Sequence, residues 1–157
     1  MSRFSQPLTH LVHENLSVLV TFAFSRTPLV SLRESKLRGD WKYLDRALYT
    51  VSEQRAERAC LELATFIRLL DDDENIASYL RETRGHSFGR VMKKDQPEES
   101  LYLRDLTNKI IHAHHLEWDF STPDEPKLVC ISRQPDRWLK AEVEVVALTA
   151  FCGQIMA

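Results

Sequence analysis

Three of the chain's six histidines lie within four positions of one another in the segment TNKIIHAHHLEWDF, residues 107–120. Two carboxylates follow them, so the cluster consists of His112, His114, His115, Glu117 and Asp119. Imidazoles transfer protons near neutral pH, and imidazoles and carboxylates together bind metal ions. The segment is therefore the part of the chain whose residue types are best suited to chemistry.

Apolar residues recur at helical spacing ahead of the cluster and predict a helix over residues 100–115. At about 100° per residue, one side of this helix is apolar and consists of Leu103, Leu106, Ile110 and Ala113. The other side is a polar stripe that consists of Arg104, Asn108, His112 and His115. We expect His112 to be the acid–base group, Asn108 to orient it or a phosphate, and Arg104 to supply positive charge.

A metal site is one alternative for the same segment. His112, His115 and Asp119 are spaced i, i+3 and i+7, so a continuing helix would place them on one face. Two nitrogens and one oxygen there would suit zinc or iron, which assist hydrolysis or oxygen activation. The sequence lacks the HExxH motif of many metallohydrolases, so the spacing alone supports this alternative.

A further alternative assigns the polar stripe no chemistry. A surface helix needs a polar face, and a histidine near a helix C-terminus is stabilised by the helix macrodipole. The chain would then be a non-enzymatic interaction protein, and the stripe would be solvated or part of a dimer interface.

Metal-free acid–base catalysis on a phosphodiester is the alternative that uses the stripe directly. Residues 108–112 read N-x-x-x-H on a late helix, and in this motif the chain resembles the HEPN superfamily, the higher eukaryote and prokaryote nucleotide-binding domains. The resemblance implies a small helical domain that forms a homodimer and binds RNA or a nucleotide. It also implies a bacterial protein of a defence or toxin–antitoxin type.

The chain departs from the HEPN motif at one position. Active members carry an arginine directly before the residue that corresponds to Asn108, where this chain has Thr107. The nearest upstream arginine, Arg104, is eight residues from His112, which is about 12 Å of helical rise. The resemblance therefore implies a divergent or inactive metal-independent ribonuclease. The segment is also similar to LNKIIHA-like segments of uncharacterised bacterial proteins, which implies no activity.

A second basic segment, RETRGHSFGRVMKKDQPEES, spans residues 81–100 and predicts a loop. Its cations are Arg81, Arg84, Arg90, Lys93 and Lys94. Together with Phe88 they suit phosphate contact with some stacking, and we expect them to bind the phosphates of a nucleic acid. A solvated connector is the alternative interpretation.

The other periodic segments predict a mainly α-helical fold. A first helix begins at Pro7 and breaks at Thr27-Pro28, and a short second helix ends at Gly39. A long helix, capped by Asp40, occupies residues 40–72. Alternating residues predict a small antiparallel β-hairpin at about residues 127–146, followed by a helix over residues 146–156. We expect one domain over residues 1–157, a helical bundle built on the long helix with this hairpin near its C-terminus.

Composition limits the classes of partner and compartment. The formal net charge of −2 gives the whole chain no attraction to nucleic acid or an anionic membrane, so such a partner requires a local patch. The apolar run LSVLVTFAF is shorter than the ~20 residues of a membrane span. Three widely spaced cysteines predict buried thiols of a reducing compartment. We expect a cytoplasmic protein that needs no cofactor.

Overall fold

The computed structural model describes residues 7–37, 39, 42–83 and 87–155. Its helices are α1 (Leu8–Ser35), α2 (Lys42–Asp45), α3 (Val51–Glu74), α4 (Ile76–Thr83), α5 (Leu103–Ile111) and α6 (Val145–Gln154). A π-helical turn, Arg46–Thr50, joins α2 to α3. The strands are β1 (Gly89–Met92), β2 (Glu99–Ser100), β3 (Ala113–Asp119), β4 (Lys127–Ser132) and β5 (Lys140–Glu144).

The five strands form one antiparallel sheet in the order β2-β1-β5-β4-β3. The prediction of a helical bundle with one small hairpin was therefore wrong. The predicted hairpin exists as β4 and β5, but it forms the middle of the sheet because β1 pairs with β5 and β3 pairs with β4. Strands β1 and β2 lie within the segment that was predicted to be a loop.

Helices cover one face of the sheet. Residues that pair across neighbouring strands share a face, and one such row contains Leu116, Cys130, Ala141 and Val91. This row belongs to the same core cluster as Leu63 and Ile67 of α3. The adjacent row points to the opposite face and contains Glu117, Val129, Glu142 and Arg90. Charged side chains are therefore concentrated on the face that the helices do not cover.

Helix α1 is continuous through Pro28, so the predicted break at Thr27-Pro28 was wrong. An internal proline costs about 3 kcal/mol of helix stability. Packing of α1 against α3 and α6 offsets this cost, and Leu19 of α1 is fully buried. By length and composition α1 could also cross a membrane, a test that core helices of soluble proteins pass as well.

The long helix predicted over residues 40–72 is present as α2, the π-helical turn and α3, while its predicted cap, Asp40, lies outside the described residues. Helix α3 ends at Asn75, which adopts a left-handed conformation with φ 55°. Asp71 Oδ1 then accepts a hydrogen bond from the backbone N–H of Ala77 at 2.6 Å. A carboxylate of the preceding helix therefore satisfies a donor in the first turn of α4.

The three cysteines confirm the prediction of buried thiols. Cys60, Cys130 and Cys152 are free and buried. Burial raises the pKa of Cys130 and of Cys152 to about 12, and it also raises the pKa of Cys60 well above its ordinary value. The predicted C-terminal helix is also present, as α6.

Candidate functional site

Helix α5 ends at Ile111, four residues earlier than the sequence predicts. The backbone N–H of His112 donates to the carbonyl of Asn108 at 2.9 Å, and His112 itself leaves the helical conformation with ψ 11°. The next residue, Ala113, begins β3. The polar stripe is therefore divided, because Arg104 and Asn108 lie on the helix while His115 lies on a strand.

The metal alternative depended on a helix that continues to Asp119, and this premise was wrong. His115 and Asp119 lie on β3, where the spacing i, i+3, i+7 no longer defines one face with His112. His115 Nε2 lies 2.8 Å from Glu117 Oε1, and hydrogen bonds from Ser121 lower the pKa of Asp119. The described part of the chain holds no group of three or more His, Cys, Asp or Glu that could hold a metal ion.

Arg104 is bound to the C-terminal end of α3. Its Nη1 donates to Asp71 Oδ2 at 2.8 Å and to Asp72 Oδ1 at 2.6 Å, and these hydrogen bonds raise the pKa of Arg104. One turn along α5, Asn108 Oδ1 accepts from Arg68 Nη1 at 2.5 Å. Both side chains thus attach α5 to α3, and the positive charge of Arg104 is compensated within the chain.

His112 opens onto a cleft of about 520 Å³ at the end of α5. The cleft is lined by Lys93, Asn108, Lys109, His112, Ser132, Arg133, Gln134, Arg137 and Trp138. Four of these nine side chains are cationic, and among the described residues no carboxylate lines the cleft. The arrangement is therefore suited to an anionic ligand.

Three sections of the chain bring these cations together. Arg133 and Arg137 lie in the turn between β4 and β5, Lys109 lies in the last turn of α5, and Lys93 follows β1 directly. Pairing of β5 with both β4 and β1 places the turn next to Lys93. The backbone N–H of Leu139 also donates to the carbonyl of Met92 at 2.8 Å, which fixes the two sections against each other.

The cations of the cleft differ in how far their charge is compensated. Lys93 Nζ lies 2.9 Å from Glu99 Oε2. Lys109 Nζ lies 4.7 Å from the centre of the Trp138 ring, and Arg133 Nε donates to the carbonyl of Ala113 at 3.2 Å. In the ranges that the structure describes, no carboxylate forms an ion pair with the side chains of Lys109, Arg133 or Arg137.

The predicted basic segment contributes one residue, Lys93, to this cleft. Arg90 Nη1 and Nη2 instead lie 2.8 Å from carboxylates of Glu98 and Glu142. Burial raises the pKa of Glu142, but hydrogen bonds from Arg90 and Lys140 outweigh it and the pKa is lowered. Lys94 lies in the exposed turn after β1. Arg84 and the side chain of Arg81 lie outside the described residues, so their predicted role stays a prediction.

Sequence reasoning missed most of the cleft. Lys109, Arg133 and Arg137 were not among the predicted binding residues. The signal for them was present, because Lys109 lies three residues before His112 and the turn RQPDR carries two arginines between two predicted strands. The polar groups Ser132 and Gln134 gave no such signal.

Comparison of the chain with protein-family models, with curated proteins and with solved structures gave no match. The resemblance to HEPN proteins therefore stays a prediction. The helical bundle that it implied is replaced by helices packed on a five-stranded sheet.

Proposed function

We propose that the chain binds RNA or a nucleotide through its phosphates in the cleft at the end of α5. The observation that carries the proposal is the group of four cations around His112 without a lining carboxylate among the described residues. Phosphate contacts by Lys and Arg supply most of the affinity of sequence-independent nucleic-acid binding. A volume of about 520 Å³ also lies within the usual range of ligand pockets.

The two arginines are the main phosphate-binding groups in this proposal. A guanidinium can donate two parallel hydrogen bonds to a phosphate, whereas an ammonium acts as a point charge. Arg133 donates one of its five N–H groups to the carbonyl of Ala113, and the other four can donate to a phosphate. Lys109 lies against one face of the Trp138 ring, so a base cannot stack on that face. We therefore base binding on phosphate contacts.

We propose that a single chain binds RNA or a nucleotide without cleaving it. Cleavage of RNA by acid–base catalysis needs one group to remove a proton and another to donate one to the leaving oxygen. Among the described lining residues, His112 supplies the one imidazole. Arg104, which was expected to complete the site, is held by Asp71 and Asp72 instead.

A binding experiment with matched variants tests the proposal. Fluorescence anisotropy of a labelled single-stranded RNA oligonucleotide would be measured with the wild-type chain, the double variant Arg133→Glu/Arg137→Glu and the control Arg55→Glu/Arg58→Glu. Both doubles change the net charge equally, but Arg55 and Arg58 lie on α3 and do not line the cleft. We expect the cleft variant to bind at least about tenfold more weakly, since a hydrogen bond to a charged group contributes about 1.5–3 kcal/mol. The control should stay within about twofold.

Equal weakening by both doubles would instead show attraction by net charge without a site. Competition by a mononucleotide would decide between a polymer and a nucleotide as the ligand. Absence of binding to either would favour the non-enzymatic interaction protein. Incubation with RNA and a chelator should leave the RNA intact, and cleavage that His112→Ala abolishes would show that binding without turnover is wrong.

A further inference from the structure

Strand β3 is an edge strand that is long enough to pair with another strand. The sheet ends at β2 on one side and at β3 on the other, and β2 has two residues while β3 has seven. In the described part of the chain, β4 is the one strand that pairs with β3. The outer side of β3 therefore presents backbone N–H and C=O groups that another strand can satisfy.

An imidazole and a carboxylate follow each other on the exposed face of β3. The strand reads AHHLEWD, and a register irregularity between Ala113 and His115 limits the regular stretch to residues 115–119. His115 and Glu117 point to the same face of the sheet, with side chains that are 49% and 57% exposed. Leu116, between them, points to the opposite face and is half buried.

The spacing of His115 and Glu117 makes β3 complementary to itself. In an antiparallel pair related by a two-fold axis at Leu116, His115 of one copy lies opposite Glu117 of the other, and the same contact occurs twice. An axis at Glu117 would place His115 opposite Asp119, but it would also place two glutamates opposite each other at its centre. An axis at His115 would place two histidines opposite each other, so the axis at Leu116 is the one of the three without a like pair of titratable groups. Opposite charges in directly facing positions stabilise a strand pair, and like charges destabilise it.

We propose that β3 pairs antiparallel with β3 of a second copy of this chain, centred on Leu116, so that the two sheets become one. This interface is isologous, since each copy contributes the same residues and the contact closes as a dimer. Leu116 of each copy becomes a direct neighbour of the other on the helix-covered face. The proposal rests on the sheet alone and does not depend on a ligand in the cleft.

Sedimentation velocity of the full chain at a series of concentrations tests this pairing. We expect a dimer whose dissociation constant rises about threefold or more in Glu117→Gln, because two cross-strand contacts between an imidazole and a carboxylate are lost. The swap His115→Glu/Glu117→His keeps an imidazole opposite a carboxylate in both facing positions, so its dissociation constant should stay within about twofold of the wild-type value. Glu14→Gln, an exposed change on α1, is the control and should have no effect. Thermal denaturation of each variant would verify folding.

Three results would overturn the proposal. A chain that stays monomeric up to its solubility limit has no such interface. A tighter dimer in Glu117→Gln would place the axis at Glu117, because the variant would then remove a repulsion. A charge swap that dimerises more weakly than Glu117→Gln would show that His115 and Glu117 do not face each other.

Discussion

The substitution Asp71→Ala tests how strongly the contacts of Asp71 attach α5 to α3. Helix α5 contributes part of the lining of the cleft. Asp71 accepts the backbone N–H of Ala77 at 2.6 Å and binds Arg104 at 2.8 Å. Its neighbour Asp72 also binds Arg104, at 2.6 Å, but the Asp72 side chain is 49% exposed while that of Asp71 is 4% exposed. Asp71→Ala and Asp72→Ala therefore remove the same charge from the same ion-pair cluster, and they differ in burial and in the bond of Asp71 to Ala77.

The expected difference follows from these contacts. A hydrogen bond to a charged group contributes about 1.5–3 kcal/mol, and Asp71→Ala removes two such bonds. Arg104 keeps its contact with Asp72, so no cation is left buried and unpaired, and we expect a loss of about 3 kcal/mol. Asp72→Ala removes two ion pairs of a half-exposed carboxylate, with Arg104 and with Arg68, and each contributes about 0–1 kcal/mol.

Urea denaturation followed by circular dichroism would measure both variants, and thermal denaturation provides a second reading. For a chain of this size, about 3 kcal/mol corresponds to a Tm that is lower by about 6–12 °C. Losses that agree within about 0.5 kcal/mol in the two variants would refute the reasoning, because neither the burial of Asp71 nor its bond to Ala77 would then contribute to stability.

Three further predictions concern Arg104, a glycine contact and the buried thiols. Arg104→Gln should leave RNA affinity in the anisotropy assay within about twofold, since its charge is compensated by α3. Gly89→Ala should cost at least about 2 kcal/mol in thermal denaturation, because φ is 145° and a Cβ would overlap the backbone oxygen of Glu142. Gly153→Ala, with open space around it, should be neutral or gain up to about 1 kcal/mol. The free energy of unfolding should fall as pH rises from about 9 to about 12, because the thiols of the unfolded chain lose their protons at lower pH than the buried thiols. Urea titrations that give the same free energy of unfolding across this range would contradict burial of Cys130 and Cys152.

Local periodicity was sufficient to predict the elements whose own residues determine their structure. The apolar positions of α3 repeat at helical spacing, and Leu63 and Ile67 among them are fully buried. Alternation likewise revealed β4 and β5, in which Ala141 and Val143 point to the core. These patterns identify which residues are buried without requiring knowledge of a distant partner.

Elements that depend on distant pairing were not predictable in the same way. The sequence of β3 contains Ala, His, Leu and Glu, which also fit a helix, and it becomes a strand because it pairs with β4. Strand β1 has four residues and pairs with β5, some fifty residues further along the chain. Strand preference depends strongly on such neighbours, so a local pattern cannot reveal it.

The cleft shows the same limit for function. His112, Asn108 and Lys93 were predicted as site residues and do line it. Arg104 and Arg133 look equivalent in the sequence, yet Asp71 and Asp72 compensate the first while no described carboxylate pairs with the second. Whether a cation is available to a ligand depends on which carboxylates the fold brings near it.

The salt dependence of RNA affinity tests the proposed cleft most directly. For single strands, log K falls against log salt concentration with a slope of about −0.7 per phosphate contact. With Lys109, Arg133 and Arg137 as the uncompensated cations, we expect a slope of about −2 for the wild-type chain and about −0.7 for Arg133→Gln/Arg137→Gln. The same slope in both proteins, or no binding at low salt, would contradict phosphate binding in this cleft.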